Sequence, residues 1–330
     1  MPPLRLASWT ALGLAGAALA WMQWGPGPTP TAAPPPRHPA DPGFPRRVDL
    51  GPGRSIELPA APRRIVVANT ALVDTVLALV PAERIVALPR QAATWSAALR
   101  GHEAAEQIPT FAEFVAENVL ARDPDLVLCS VHSQPETVAA LRRVGVPLVR
   151  FDFPPDLAAV RTQLRLCASL LGAEERLAAV EAGLDARIAA LAAAPGPRRG
   201  VRAAFYAHDG NEGWSSGRGT PAEEMLGLAG LRNAVGEAGH RGPSRLTFEQ
   251  LLAVDPDLLV IPLAHGEVDR ATEQALAGPL AVLRAVREGQ VVRLHPGLFA
   301  TTSHELVTAA EELARAADLV LAEPAGEDRR

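Results

Sequence analysis

"ENVLARDPDLVL" at 117–128 and "EQLLAVDPDLLV" at 249–260 are nearly the same phrase written twice. Each reads as a short helix that stops at Asp-Pro-Asp and turns straight into an apolar run suited to a buried strand. Proline disfavours helical dihedrals at the residue before it, so Asp-Pro-Asp alone accounts for a stop and a turn. It does not account for the matching leucines and strands. Nor does it account for Glu117 and Glu249, each eight residues ahead of the second aspartate. The correspondence predicts two related half-units facing each other.

Working outward, "RRIVVA" at 63–68 is a short β-branched run that leads into an apolar-periodic helix and a second strand at 85–88. A helix at 114–122, strand "DLVLCS", helix "SQPETVAALRRVG" and strand "PLVRFD" continue the alternation, which argues for a parallel sheet covered on both faces. Ahead of this, "RVDLGPGRSIELP" at 47–59 predicts a hairpin around Gly-Pro-Gly. From Asp156 to Ala194 the pattern is helical with one break at Gly172, and Pro195-Gly196-Pro197 ends it. The stretch from Ala173 to Ala194 would make a helix of roughly 33 Å. Beyond it come a strand at 201–207, helices at 221–230 and 247–253, a strand at 257–262, a helix at 271–286, a strand at 290–295 and a helix at 303–322.

The predicted fold class is therefore α/β, with two lobes built on mainly parallel sheets and joined by one long backbone helix. The expected boundaries are an N-terminal lobe at 46–155, a helical linker at 156–197, a C-terminal lobe at 198–322 and a tail at 323–330.

Of the 330 residues 48% are hydrophobic, enough for a substantial core, and the formal net charge is −5. All 32 basic residues are arginine, and no basic footprint for nucleic acid emerges. At the amino terminus, "LASWTALGLAGAALAW" after Arg5 reads as a signal peptide or signal anchor over 1–24, with Ala18 and Ala20 placed for cleavage. The proline-dominated stretch 25–45 reads as an extended tether. Cys129 and Cys167 form neither a disulfide framework nor a metal spacing; they read as buried thiols, with a single disulfide as the alternative.

Two α/β lobes, one long helix and E-x-x-L-A-x-x-P-D-L-[VL] in each lobe resemble the periplasmic-binding family that delivers iron-siderophores, haem and vitamin B12 to ABC importers. The likeness spans about 47–322 and is carried by "PRRIVVAN", "ENVLARDPDLVL", "SSGRGTPAEEMLGLAGLRNA" and "LTFEQLLAVDPDLLVI" in family order. It implies an extracytoplasmic, non-enzymatic protein, periplasmic or retained at the membrane by its N-terminal segment, with a bulky metal chelate held between the lobes. It also implies that the ABC importer permease is the partner, docked through Glu117 and Glu249. Two carboxylates on rigid elements can fix orientation by charge complementarity.

Open α/β sheets bind ligands at the carboxyl ends of their strands. Candidate ligand-binding residues there are Asn69, Trp95, Phe111, His132, Trp214, Arg218, Arg241 and Phe299, with Ser130, His208 and His265 nearby. Indoles in polar loops suit a flat, conjugated ligand, and the arginines suit carboxylates or phosphates. The phenylalanines equally suit a core. No resident cofactor or protein-bound metal is expected. In the family that the chain resembles, haem and many iron ligands are often held by tyrosine; the single tyrosine here, Tyr206, lies inside a strand, so the resemblance tilts the expected ligand toward a corrinoid or intact siderophore and away from haem.

Two rivals remain. A zinc- or manganese-binding transport protein would build its site from histidines and carboxylates. An α/β serine hydrolase would use Ser215 in "GWSSG" with His304 downstream. The hydrolase reading requires a strand running directly into Ser215, whereas 208–214 reads as loop.

Overall fold

The computed structural model describes residues 43–100, 107–209, 212–263 and 267–322. The signal segment, the tether before Gly43, His265 and the tail lie outside them. The Gly-Pro-Gly turn joins β1 (Arg46–Asp49) to β2 (Ser55–Leu58) as an antiparallel pair.

The N-terminal sheet comprises β3 (Ile65–Val67), β4 (Ile85–Pro89), β5 (Thr110–Phe111), β6 (Leu126–Ser130) and β7 (Leu148–Phe151). Its order is β5-β4-β3-β6-β7 and every pair is parallel. The C-terminal sheet comprises β8 (Arg202–Asp209), β9 (Glu212–Ser216), β10 (Arg232–Asn233), β11 (Pro243–Thr247), β12 (Leu258–Pro262) and β13 (Val291–Leu294). Its order is β11-β9-β8-β12-β13, with β10 beside β8. There β8, β12 and β13 are parallel, while β9 runs antiparallel to both neighbours.

This hairpin corrects the sequence reading of 208–214 as loop. Strand β9 was hidden by its glycine, which the packing demands: a Cβ on Gly213 would collide with the Tyr206 ring. The expected helix at 271–286 is also broken. Gly278-Pro279 divides it into Glu267–Ala277, a 3₁₀ turn at Pro279–Val282 and a short helix at Arg284–Arg287.

The linker forms helices Leu157–Leu171 and Glu174–Ala193, with Gly172 in the left-handed conformation between them. The second helix is about 30 Å long. It packs on Thr70–Leu79 of one lobe and on Pro221–Leu228 and Leu306–Ala322 of the other. Arg187 on this helix donates to both Glu311 oxygens, at 2.9 and 2.6 Å, and to Thr308 at 2.7 Å. The buried Arg198 guanidinium pairs with Asp318 and donates to the Ala229 carbonyl. One hydrophobic cluster runs from Leu72 and Val76 through Leu184 to Leu226 and Leu313, so the core is continuous across the linker.

The repeated phrase forms the same clamp in both lobes. In each, a short helix follows the edge strand (β5 or β11) and delivers the chain to a central strand (β6 or β12) beside the lobe's first strand. Asp123 (φ 47°) and Asp255 (φ 39°) are the non-glycine residues with positive φ among those described. Arg64, entering β3, donates to the carbonyls of Arg122 and Asp123 at 2.5 and 2.7 Å. Arg202, entering β8, donates to those of Val254 and Asp255 at 2.7 and 3.1 Å. The second aspartate closes the loop. Asp125 accepts from the backbone of Arg63 and Arg64, and Asp257 from that of Arg202. An arginine thus satisfies the orphan carbonyls at the helix end while an aspartate satisfies the strand-entry amides.

Candidate functional site

The contact between lobes locates the cleft. The helix Pro296–Phe299, directly after β13, packs on the helix Ala92–Trp95, directly after β4. A Cβ on Gly297 would lie 3.0 Å from the Ala97 nitrogen and the Ser96 carbonyl carbon, so the backbones meet here almost in contact. Both segments leave carboxyl ends of parallel strands, and therefore the carboxyl edges of the two sheets face each other.

Beneath this contact lies a buried polar post. Asp74, 1% exposed, accepts from Ser96, from the Ala98 backbone at 3.1 Å and from Ser303 of the other lobe at 3.1 Å. Burial raises its carboxyl from 3.8 to about 6; the three hydrogen bonds oppose the rise and the charge of Glu305 adds to it. His304 next door is also buried, which holds its imidazole below the usual range against the pull of Glu305.

The structure separates the candidate ligand residues into groups. Trp95, 42% exposed, and Phe299, half-buried with its ring 5.0 Å from that of Phe205, flank the inter-lobe contact. His132 is exposed beyond the end of β6 and stacks on Phe153 beyond β7, with centroids 5.6 Å apart and planes 18° from parallel. Phe153 is 49% exposed and was missed in the sequence, because it follows "PLVRFD" as one more apolar residue. Trp214 sits in β9, not in a loop, and carries Arg245 over its ring at 4.7 Å. Arg245 in turn pairs with Asp209 and Glu212.

Four further candidates have defined structural surroundings of their own. Phe111 is 7% exposed, packed with Val66, Val119 and Val127, so its burial serves the N-terminal core. Asn69 caps the helix Thr70–Leu79, its side chain accepting from the Ala71 amide at 2.9 Å. Arg218 and Arg241 are brought together by a β-bridge. Tyr206 pairs with Ser215 across the hairpin, and continuing that register sets Arg218 level with the start of β8. That is the amino edge, away from the cleft.

Glu117 and Glu249 are both exposed, each at the second position of its short helix. Thr247 and Gln250 form a capping box on the second helix. The Glu249 backbone N–H and the Thr247 hydroxyl lower the Glu249 carboxyl. The first helix begins at Val115 without a side-chain cap. Neither glutamate has an ion-pair partner among the described residues.

The nucleophile-elbow geometry is not met. Ser215 is 4% exposed inside an antiparallel strand, and its hydroxyl donates to the Phe205 carbonyl at 2.6 Å. Among the described residues no three His, Cys, Asp or Glu side chains converge as a metal site would require. Cys129 and Cys167 are free and buried, and burial raises both thiols, that of Cys129 to about 11. No helix among the described residues is long and apolar enough to cross a membrane.

No curated protein matches the chain. Solved structures do. The periplasmic heme-binding protein BhuT, determined with two hemes, is 29% identical, with a TM-score of 0.66 over 78% of this chain and 99% of that one. The periplasmic heme-binding protein RhuT from Roseiflexus sp. RS-1 is 25% identical, with a TM-score of 0.66 and the same coverage. A periplasmic heme-binding protein from Pseudomonas aeruginosa is 26% identical, with a TM-score of 0.67 over 80% of this chain and 95% of that one. The periplasmic binding protein family matches residues 65–298, most of the chain and both of its main sheets. With two α/β lobes, a stiff linking helix and a cleft between carboxyl edges, the chain belongs to the periplasmic binding protein family.

Proposed function

We propose that this protein is an extracytoplasmic, non-enzymatic solute-binding protein that carries a flat metal tetrapyrrole of the haem class to an ABC importer. The observation that carries the ligand class is the exposed, nearly parallel pair His132–Phe153 at the carboxyl edge of the N-terminal sheet. It offers an apolar platform and an imidazole to a planar metal chelate. Trp95 and Phe299 add aromatic surface beside the contact between the lobes. The haem-binding relatives at 25–29% identity support haem over the corrinoid or siderophore to which the single tyrosine inclined the sequence reading. Tyr206 is fully buried, so on this reading an imidazole supplies the metal contact.

Titration with haemin, cyanocobalamin and a ferric hydroxamate, followed by visible absorption and tryptophan quenching, tests the ligand class. Haemin is expected to bind with a shifted Soret band, and His132→Ala to move that band and weaken binding about tenfold or more, the equivalent of about 1.4 kcal/mol. Binding of cyanocobalamin alone refutes the haem assignment.

Delivery requires a docking surface, and Glu117 and Glu249 are its proposed anchors. Replacing both with arginine is expected to leave haemin affinity intact and abolish uptake. Lost affinity would put them in the cleft instead.

A further inference from the structure

We propose that Leu120 and Leu252 are apolar anchors for the importer's permease, each working beside the glutamate one helical turn earlier. The inference rests on the solute-binding reading above and adds two residues to it. In the first short helix Glu117, Asn118, Leu120 and Ala121 are exposed around a buried Val119. In the second, Glu249, Gln250, Leu252 and Ala253 are exposed around a buried Leu251. A leucine in a short amphipathic helix ordinarily turns inward. Here Val119 and Leu251 take the inward position, and the next residue is left 37% exposed as Leu120 and 42% exposed as Leu252.

Residues three apart share a helical face, so each lobe presents a carboxylate and a leucine together. Scattered surface leucines need no explanation. These two are not scattered: they occupy one position of a repeated phrase, in crossovers that both lead from an edge strand to a central strand. Charge complementarity commits the occupant. Two glutamates without ion-pair partners among the described residues call for two cations, and the adjoining leucines call for an apolar socket beside each. A partner offering the same socket twice, as a two-fold assembly does, meets both demands. The glutamates would steer and orient, while the leucines, desolvated inside the contact, would slow dissociation.

The test is binding of the full-length protein to the importer encoded by the same genome, reconstituted in nanodiscs and followed by interferometry at low and high salt. Leu120→Ala and Leu252→Ala are each expected to raise Kd about tenfold through faster dissociation, at both salt concentrations, which is about 1.4 kcal/mol apiece. Leu→Met at either site should restore most of the loss, and melting temperature and haemin affinity should not change. Glu117→Gln and Glu249→Gln should instead slow association, with the effect fading at high salt. Unaltered dissociation in both leucine variants alongside weakened glutamate variants overturns the leucine proposal and leaves the docking reading standing. Loss of haemin affinity in the leucine variants overturns it as well. Absence of binding by the unmodified protein overturns both.

Discussion

In the N-terminal lobe β3 is three residues long and yields at Asn69 to a helix; in the C-terminal lobe the corresponding strand β8 runs eight residues and turns back as β9. Below those ends the lobes agree residue for residue: Arg64 with Arg202, Asp123 with Asp255, Asp125 with Asp257. Above them they share little. One presents His132 and Phe153 on an all-parallel sheet, the other Trp214 and Arg245 on an antiparallel wing. The agreement lies where each lobe is clamped and where it meets the permease on the proposed reading. The divergence lies toward the cleft, where on the proposed reading one ligand is gripped from two sides and no symmetry is required.

The largest blow to this comparison comes from the N-terminal edge. Strand β5 has two residues, against five in β11, and Phe111 is the side chain that ties it to the core. Phe111→Ala is expected to cost about 3–5 kcal/mol in denaturant unfolding. Trp95→Ala, on the surface beside the lobe contact, is expected to stay within about 0.5 kcal/mol in the same assay while weakening the ligand.

Asp74 has no buried carboxylate as counterpart among the described residues of the other lobe, and its effect follows pH. A carboxyl raised from 3.8 to about 6 is best tolerated protonated. Its stabilising contribution is complete below the unfolded value and is lost as pH rises through about 6. A shift of that size corresponds to about 3 kcal/mol. Asp74→Asn should therefore gain on the wild type progressively between about pH 4 and about pH 7. His304, lowered by burial, acts in the opposite sense, its stability being lost as pH falls, so the difference between wild type and variant is the quantity to follow. A difference independent of pH would show that Asp74 is not the titrating group.

The smallest effects sharpen the likeness of the two short helices of the repeated phrase. Removing the cap with Thr247→Ala is expected to cost about 1 kcal/mol. Supplying one with Val115→Thr, where the N-terminal helix has none, is expected to gain about 0.5 kcal/mol. Paired melting curves would read both, and no change in either variant would show that the cap at 247 does no more than the valine at 115.

Much of this molecule was legible in advance. Alternating strand and helix periods, the Gly172 break and the Pro195-Gly196-Pro197 stop are local signals, and they led to two lobes and a stiff linker. The hairpin β8–β9 was not legible. Gly213 reads as a breaker until it is known to lie under the Tyr206 ring. Among the site candidates, Arg218 and Arg241 met as neighbours but on the amino edge, because an antiparallel strand reverses the direction that a sequence reader assigns to it. Phe153 and the outward leucines escaped because hydrophobicity does not tell which way a residue faces in a loop or in a helix of five or seven residues.

The sequence by itself determined that there are two half-units, where each helix stops, and that a glutamate precedes each stop by one fixed interval. These follow from backbone preferences and side-chain period, which act within a few residues. Only the tertiary structure decided that β9 turns back on β8, that Asp74 reaches Ser303 across 229 positions, and that Leu120 and Leu252 point away from the core. Those outcomes depend on what the rest of the chain leaves buried, and no local stretch carries that information.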